Sequence, residues 1–159
     1  MDTLEFPSVR DDELLIRRSF AAPASLVFLI WSRREHMMRW LGPKDFTCTH
    51  LDLDFREGGA YRACIRSEAY GDSWFGGRLL QIEPNRKIVM TFAWDEGSGR
   101  DLETTITVTF QEREGRTLQT FHQRPFSSVE VRDSHIGGWS ECFEREQAYA
   151  ERLAQGGQP

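Results

Sequence analysis

Three groups of residues in this 159-residue chain are of the types that enzymes use, and their spacing decides what each can do. Asp52 and Asp54 sit two apart in LDLDF, which on a strand puts them on one face roughly 7 Å apart, within range for paired acid–base work. Leu51, Leu53 and Phe55 claim the opposite face for a core, so a solvated acidic face with arginine partners at the next turn is expected. Phe46 and Cys48 have the opposite parity, which points to a bulge and leaves the inner face open. Asp133, Ser134 and His135 are the residue types of a hydrolytic triad, yet helix neighbours point in different directions and a triad is defined by geometry. Gly97-Ser98-Gly99 lacks the G-x-S-x-G pattern of a nucleophile elbow. His36, His50, His122 and His135 include no i, i+4 pair and no HExxH, so neither a metal site nor a cofactor is expected. His122, in LQTFHQR, shares a strand face with Leu118 and Thr120 and reads as a buried hydrogen-bonded histidine or as a polar anchor for a ligand.

Charge and composition exclude other classes. The net charge of −5, with Arg33, Arg34, Arg39 and Lys44 as a short cationic cluster, argues against nucleic-acid binding and for a solvated helix face. Cys48, Cys64 and Cys142 are odd in number and far apart, which suits neither a disulfide framework nor a CxxC zinc site. They read as small apolar side chains in a reducing compartment. MDTLEFPSVRDDE has no apolar signal core, and no run reaches membrane-spanning length. A soluble cytoplasmic protein without membrane insertion is expected.

The elements that must position these residues follow from periodicity and turn chemistry. A single domain over residues 13–156 is expected, with an N-terminal arm at 1–12 and a tail at 157–159. ELLIRRSF predicts a first strand, and Pro23 opens a short helix, ASLVFLIW. Ser32 and Glu35 have the spacing of a capping box for a second short helix, which Gly42 and Pro43 end. Runs near 46–55, 60–67, 73–83, 87–94, 102–111 and 116–123 read as strands. Short links at 56–59, 83–86 and 112–115 make neighbouring strands antiparallel. Gly58 and Gly59 suit a reversal, whereas Gly76 and Gly77 lie inside a strand and suit a bulge or bend. Beyond Pro125, Ile136, Trp139, Phe143, Ala150 and Leu153 mark a long amphipathic helix, with Glu141, Glu144, Arg145 and Arg152 largely off its apolar stripe. Only this helix is long enough to cover the apolar face of a single twisted sheet, giving an α+β unit.

Several motifs, in this order, resemble one known family. They are Ala22-Pro23, Trp31, Arg39-Trp40-Leu41-Gly42-Pro43, the hairpin Asp54-Phe55-Arg56-Glu57-Gly58-Gly59, Gly77 to Pro84 followed by Lys87-Ile88-Val89-Met90, and Gly138-Trp139. Together they are similar to the activator of heat-shock-protein-90 ATPase homologue family, in the START-like (SRPBCC, helix-grip) superfamily. The resemblance spans about residues 13 to 155 and departs at Cys142 to Glu146, where the family more often has leucines. It implies a curved antiparallel sheet wrapped around a C-terminal helix, two short helices after the first strand, and a hydrophobic cavity between sheet and helix. By the same analogy His122 faces that cavity. Relatives range from co-chaperone domains to small-molecule carriers and, more distantly, cyclases and hydroxylase components.

The expected function is binding of a small hydrophobic or aromatic molecule, without chemistry of its own. The expected wall is Trp74, Met90, Trp94, His122, Trp139 and Phe143. A protein-interaction module of the co-chaperone kind and a cyclase- or hydrolase-like enzyme are the alternatives. The oligomeric state is left open, a homodimer included.

Overall fold

The two glycine pairs set the path of the sheet. At the first pair the chain reverses: Gly58 has φ of +85°, and a Cβ on Gly59 would collide with the Asp54 carbonyl oxygen. The Gly58 amide donates to the Leu79 carbonyl and the Leu79 amide to the Gly59 carbonyl, both at 2.8 Å, so this reversal is stitched to a third strand. At the second pair two neighbouring strands come so close that no side chain fits. A Cβ on Gly77 would strike the Thr91 carbonyl oxygen. Beside it the Arg78 amide donates to the Thr91 hydroxyl at 2.9 Å, and the Thr91 carbonyl accepts from the Tyr61 phenol at 2.6 Å.

The computed structural model describes residues 10–96, 99–100 and 102–159. Its elements are β1 (Leu14–Phe20), α1 (Ala24–Ser32), α2 (Arg34–Met37), β2 (Thr47–Leu53), β3 (Ala60–Ser67), β4 (Gly71–Glu83), β5 (Lys87–Glu96), β6 (Gly99–Arg100), β7 (Thr104–Arg113), β8 (Arg116–Arg124) and α3 (Val129–Ala154). Seven strands pair antiparallel in the order β1-β8-β7-β5-β4-β3-β2, and the two-residue β6 pairs with β5. The curved sheet grips α3 on its concave face, which is the helix-grip form of an α+β fold. Most of the expected N-terminal arm, and Gly97 and Ser98 of the glycine-rich loop, lie outside the described residues.

Alternation explains which side chains fill the grip. Thr104, Ile106, Val108 and Phe110 of β7 are buried, as are Thr117, Gln119, Phe121 and Gln123 of β8. The parity conflict in β2 is resolved by a register shift between Cys48 and His50, which lets Cys48 and Leu51 both reach the core. β4 carries a second shift between Leu79 and Gln81, just past the glycine bend. In α3, Trp139, Cys142, Phe143, Glu146, Tyr149 and Ala150 are buried, and the Ser128 hydroxyl caps the helix by accepting from the Val131 amide at 3.1 Å.

One local expectation fails. Ser32 and Glu35 form no capping box, because α1 runs through Ser32 and places it at a helix C-terminus. There its hydroxyl donates back to the Leu29 carbonyl at 3.1 Å, as serines late in helices do. The start of α1 is capped from afar: Glu112, near the end of β7, accepts from the Ala24 amide at 2.8 Å.

The two glycine pairs give contrasting expectations for alanine substitution. Gly58→Ala meets open space and suffers only the left-handed backbone, about 1–2 kcal/mol. Gly77→Ala meets backbone that cannot step aside and is expected to cost roughly 3 kcal/mol or more. Urea unfolding followed by circular dichroism compares them, and equal losses would contradict the close approach at Gly77.

Candidate functional site: a cavity between the sheet and the C-terminal helix

The sheet and α3 do not close on each other along their whole length. A cavity of about 290 Å³ remains toward the N-terminal half of α3. Its floor is Phe75, Phe92 and Trp94 from β4 and β5, with Ile65 and Ser73 beside them; its roof is Ser134, His135, Gly138, Trp139 and Cys142 of α3. The segment Leu41 to Phe46 supplies the third side through Leu41, Gly42, Pro43 and Phe46. That segment is held by α3 side chains. Arg145 Nη1 donates to the carbonyls of Gly42, Pro43 and Phe46 at 2.7, 3.3 and 3.1 Å, and Glu141 accepts from the Lys44 amide at 3.1 Å.

The aromatic walls combine edge-to-face contacts with one stacked pair, Phe75 on Phe92. Phe92 meets Trp94 at 5.4 Å and 88°, and Trp139 at 5.8 Å and 64°. Phe75 stands 5.1 Å from Trp94 and 4.9 Å from Phe92. Leu41, Phe75, Phe92 and Trp139 also divide the cavity from a deeper apolar void of about 30 Å³ that reaches Met90 and Trp31. Such geometry suits planar apolar groups, whose edges and faces continue the same pattern.

Polar atoms in and beneath the walls are paired. Trp94 donates its indole N–H to His135 Nε2 at 2.9 Å, and His135 Nδ1 lies 2.8 Å from the Val131 carbonyl. Trp139 donates to the Gln123 side-chain oxygen at 2.9 Å, Gln123 donates to Thr104 Oγ1 at 2.8 Å, and Thr104 donates to the Phe92 carbonyl at 3.0 Å. Deeper, Trp31 donates to Gln119 and Glu146 at 3.0 and 2.8 Å, and Gln119 donates to Glu146 at 3.0 Å. Burial pushes the Glu146 carboxyl from 4.5 up to about 8, against the lowering effect of the bonds from Gln119 and Trp31. The Cys142 thiol, also fully buried, is pushed up to about 12, so it is a neutral thiol and a poor nucleophile.

The six residues expected to form a wall separate into different places. Trp94 and Trp139 line the main cavity, and Met90 lines the deeper void. Phe143 is fully buried against Trp31, Phe121 and Trp139, inside the core beneath the cavity. Trp74 is on the convex face, with the Arg62 guanidinium 4.8 Å from its ring and His50 at 5.2 Å; its neighbour Phe75 points inward instead. His122 is also on the convex face, 2.9 Å from Glu13, which corrects the expectation that it faces the cavity. The cause is the unusual composition of β8: its inner face carries Gln119 and Gln123, which looks polar but is needed to receive the indole N–H groups.

Nothing local marks His135, which enters the cavity as a helix residue within the discounted Asp133-Ser134-His135 set. Asp52 and Asp54 lie at the surface with His50 and Arg56. Among the described residues no cluster of three or more His, Cys, Asp and Glu is placed to hold a metal ion. None of the helices there is long and apolar enough to cross a membrane.

The fold agrees with the comparisons to known proteins. Residues 21–151 match the model of the family described as activator of Hsp90 ATPase homolog 1-like protein, and the chain belongs to that family. A crystal structure of a protein from Chromobacterium violaceum is 24% identical with a TM-score of 0.82, covering 89% of this chain and 99% of the other. The AHSA1 protein from Silicibacter pomeroyi is 20% identical with a TM-score of 0.79, covering 91% and 99%. A protein from Mycobacterium smegmatis, 18% identical, has a TM-score of 0.76 over 96% and 99%. At these identities the likeness is one of fold. No curated protein gives a significant match.

The buried carboxyl makes a pH prediction. Below about 4.5 Glu146 is protonated in folded and unfolded chains alike, so it contributes no penalty there. Between 4.5 and about 8 the unfolded chain ionises while the folded chain holds its proton, so stability falls as pH rises. Glu13 and Glu151 have lowered pKa values and lose their contribution on acidification, below this window. The melting temperature is therefore expected to decline from pH 5.5 to 8, and Glu146→Gln is expected to flatten that decline by an amount on the order of a few kcal/mol. A variant that declines as steeply as the parent would show that Glu146 does not hold its proton.

Proposed function

We propose that this chain is a single binding domain, residues 13–156, that takes up a small hydrophobic or aromatic molecule in the cavity between sheet and α3 and performs no chemistry on it. The carrying observation is the cavity itself: about 290 Å³, near the lower end of the range for small-molecule sites, with mostly aromatic and aliphatic walls. Core residues of a domain this size would ordinarily close such a gap, since interiors pack to crystal density. The clamped 41–46 segment and the networks under Trp139 hold two of the walls in place. Trp94, Trp139, Phe92 and Phe75 are the proposed contact residues, with Met90 reached by a ligand that extends into the deeper void.

The enzyme alternative finds less support. The nucleophile candidate in the walls, Cys142, is a neutral buried thiol, and His135 has both ring nitrogens engaged. Three free, buried cysteines suit a reducing compartment, and we place the protein in the cytoplasm on that basis.

Gly138 offers a clean test. It lines the cavity from the middle of α3, and a Cβ there meets nothing within 4 Å. Gly138→Met fills the cavity while improving helix propensity by up to about 1 kcal/mol. The neutral probe N-phenyl-1-naphthylamine is expected to bind the parent saturably, with a rise in fluorescence and melting temperature. The variant should melt no lower and bind at least tenfold more weakly. Undiminished binding by Gly138→Met would remove the cavity as the site.

A further inference from the structure

The cavity walls hold two titratable side chains, Cys142 and His135, and both are engaged in hydrogen bonds. Cys142 Sγ accepts from the Gly42 amide at 3.4 Å and donates to the Trp40 carbonyl at 3.5 Å. His135 is fixed more tightly. A carbonyl can only accept, so Nδ1, 2.8 Å from the Val131 oxygen, carries the ring proton. An indole N–H can only donate, so Nε2, 2.9 Å from Trp94 Nε1, carries the lone pair. Behind the 41–46 segment, the Arg145 guanidinium is turned to three backbone carbonyls. The remaining polar walls are the hydroxyls of Ser73 and Ser134, which are neutral.

We propose that the cavity admits uncharged aromatic ligands and discriminates against their ionised counterparts, and that Trp94 sets this selectivity by occupying the His135 nitrogen that would otherwise pair with an anion. The proposal rests on the reading of the cavity as a ligand site. An anion there would lose its hydration and find no free cation among the described wall residues to replace it, an unfavourable exchange for a buried charge. A neutral ring with one hydroxyl loses little and keeps Ser73 and Ser134 as partners.

The test compares 2-naphthol with 2-naphthoate at pH 7 by calorimetry, with N-phenyl-1-naphthylamine as the reference neutral ligand. The parent protein is expected to bind 2-naphthol at least tenfold more tightly than 2-naphthoate. In Trp94→Phe, His135 Nε2 is released and can take up a proton from solvent and donate it to the carboxylate in a hydrogen bond, so the preference should shrink to about threefold or less, chiefly through tighter naphthoate binding. Trp94→Met, which also lacks the N–H, serves if Trp94→Phe melts below the assay temperature. Equal or tighter naphthoate binding by the parent overturns the proposal. An unchanged ratio in the Trp94 variants overturns the role of Trp94. Failure of all three compounds, the neutral reference included, instead overturns the reading of the cavity as a ligand site.

Discussion

Two tryptophan N–H groups buried beneath α3 must find acceptors, and β8 supplies them. Trp31 and Trp139 reach Gln119 and Gln123, which are spaced four apart on the same face of that strand. A buried donor without a partner costs about 1–3 kcal/mol, so these pairings fix where the helix can rest on the sheet. Glu146 joins the first pair from α3 and Thr104 joins the second from β7, so helix, α1 and three strands are tied through two small polar networks. Aromatic contacts fill the space around them: Phe121 touches Trp139 at 4.7 Å and Phe143 at 5.0 Å.

That anchoring explains why the grip is tight at one end and loose at the other. Past Cys142, α3 presents Phe143, Glu146 and Ala150 to the core, where all three are fully buried. Toward its start it presents Gly138, Ser134 and His135, two small residues and one engaged in side bonds. The close approach at Gly76 and Gly77 and the register shift that follows it both lie in β4, the strand that gives Ser73 and Phe75 to the cavity. The cavity is what remains between that strand, its neighbours and a helix fixed by polar pins. Membership of the activator of Hsp90 ATPase homolog 1-like family agrees with this architecture and leaves the ligand to the local chemistry of the walls.

The same networks show where residue patterns mislead. β8 reads LQTFHQR, and ordinary rules send glutamine outward and leucine inward. The opposite holds, because Gln119 and Gln123 are wanted inside, and Leu118 and His122 are left on the convex face. Glu146 follows a related logic. It stands three residues after Phe143 and four before Ala150, in the middle of the apolar stripe, so spacing places it in the core while its charge argues against that. Its neighbours Glu141 and Arg145 lie off the stripe and clamp the 41–46 segment.

Strand and helix positions, the antiparallel links, the β2 bulge and the reversal at Gly58 and Gly59 were all legible in the chain, because each depends on contacts a few residues apart and on backbone freedom. The register shift in β4, by contrast, lies at Leu79 to Gln81 and not at Gly76 and Gly77. The family resemblance was legible for the same reason, being carried by turns and helix ends. Which side of β4 and β8 faces inward, and hence the placement of Trp74 and His122, was decided only by tertiary structure. So was the entry of His135 into the cavity wall, 41 residues from the indole that holds it. These depend on donors meeting acceptors across distant segments, and no local periodicity records where a distant partner will come to rest.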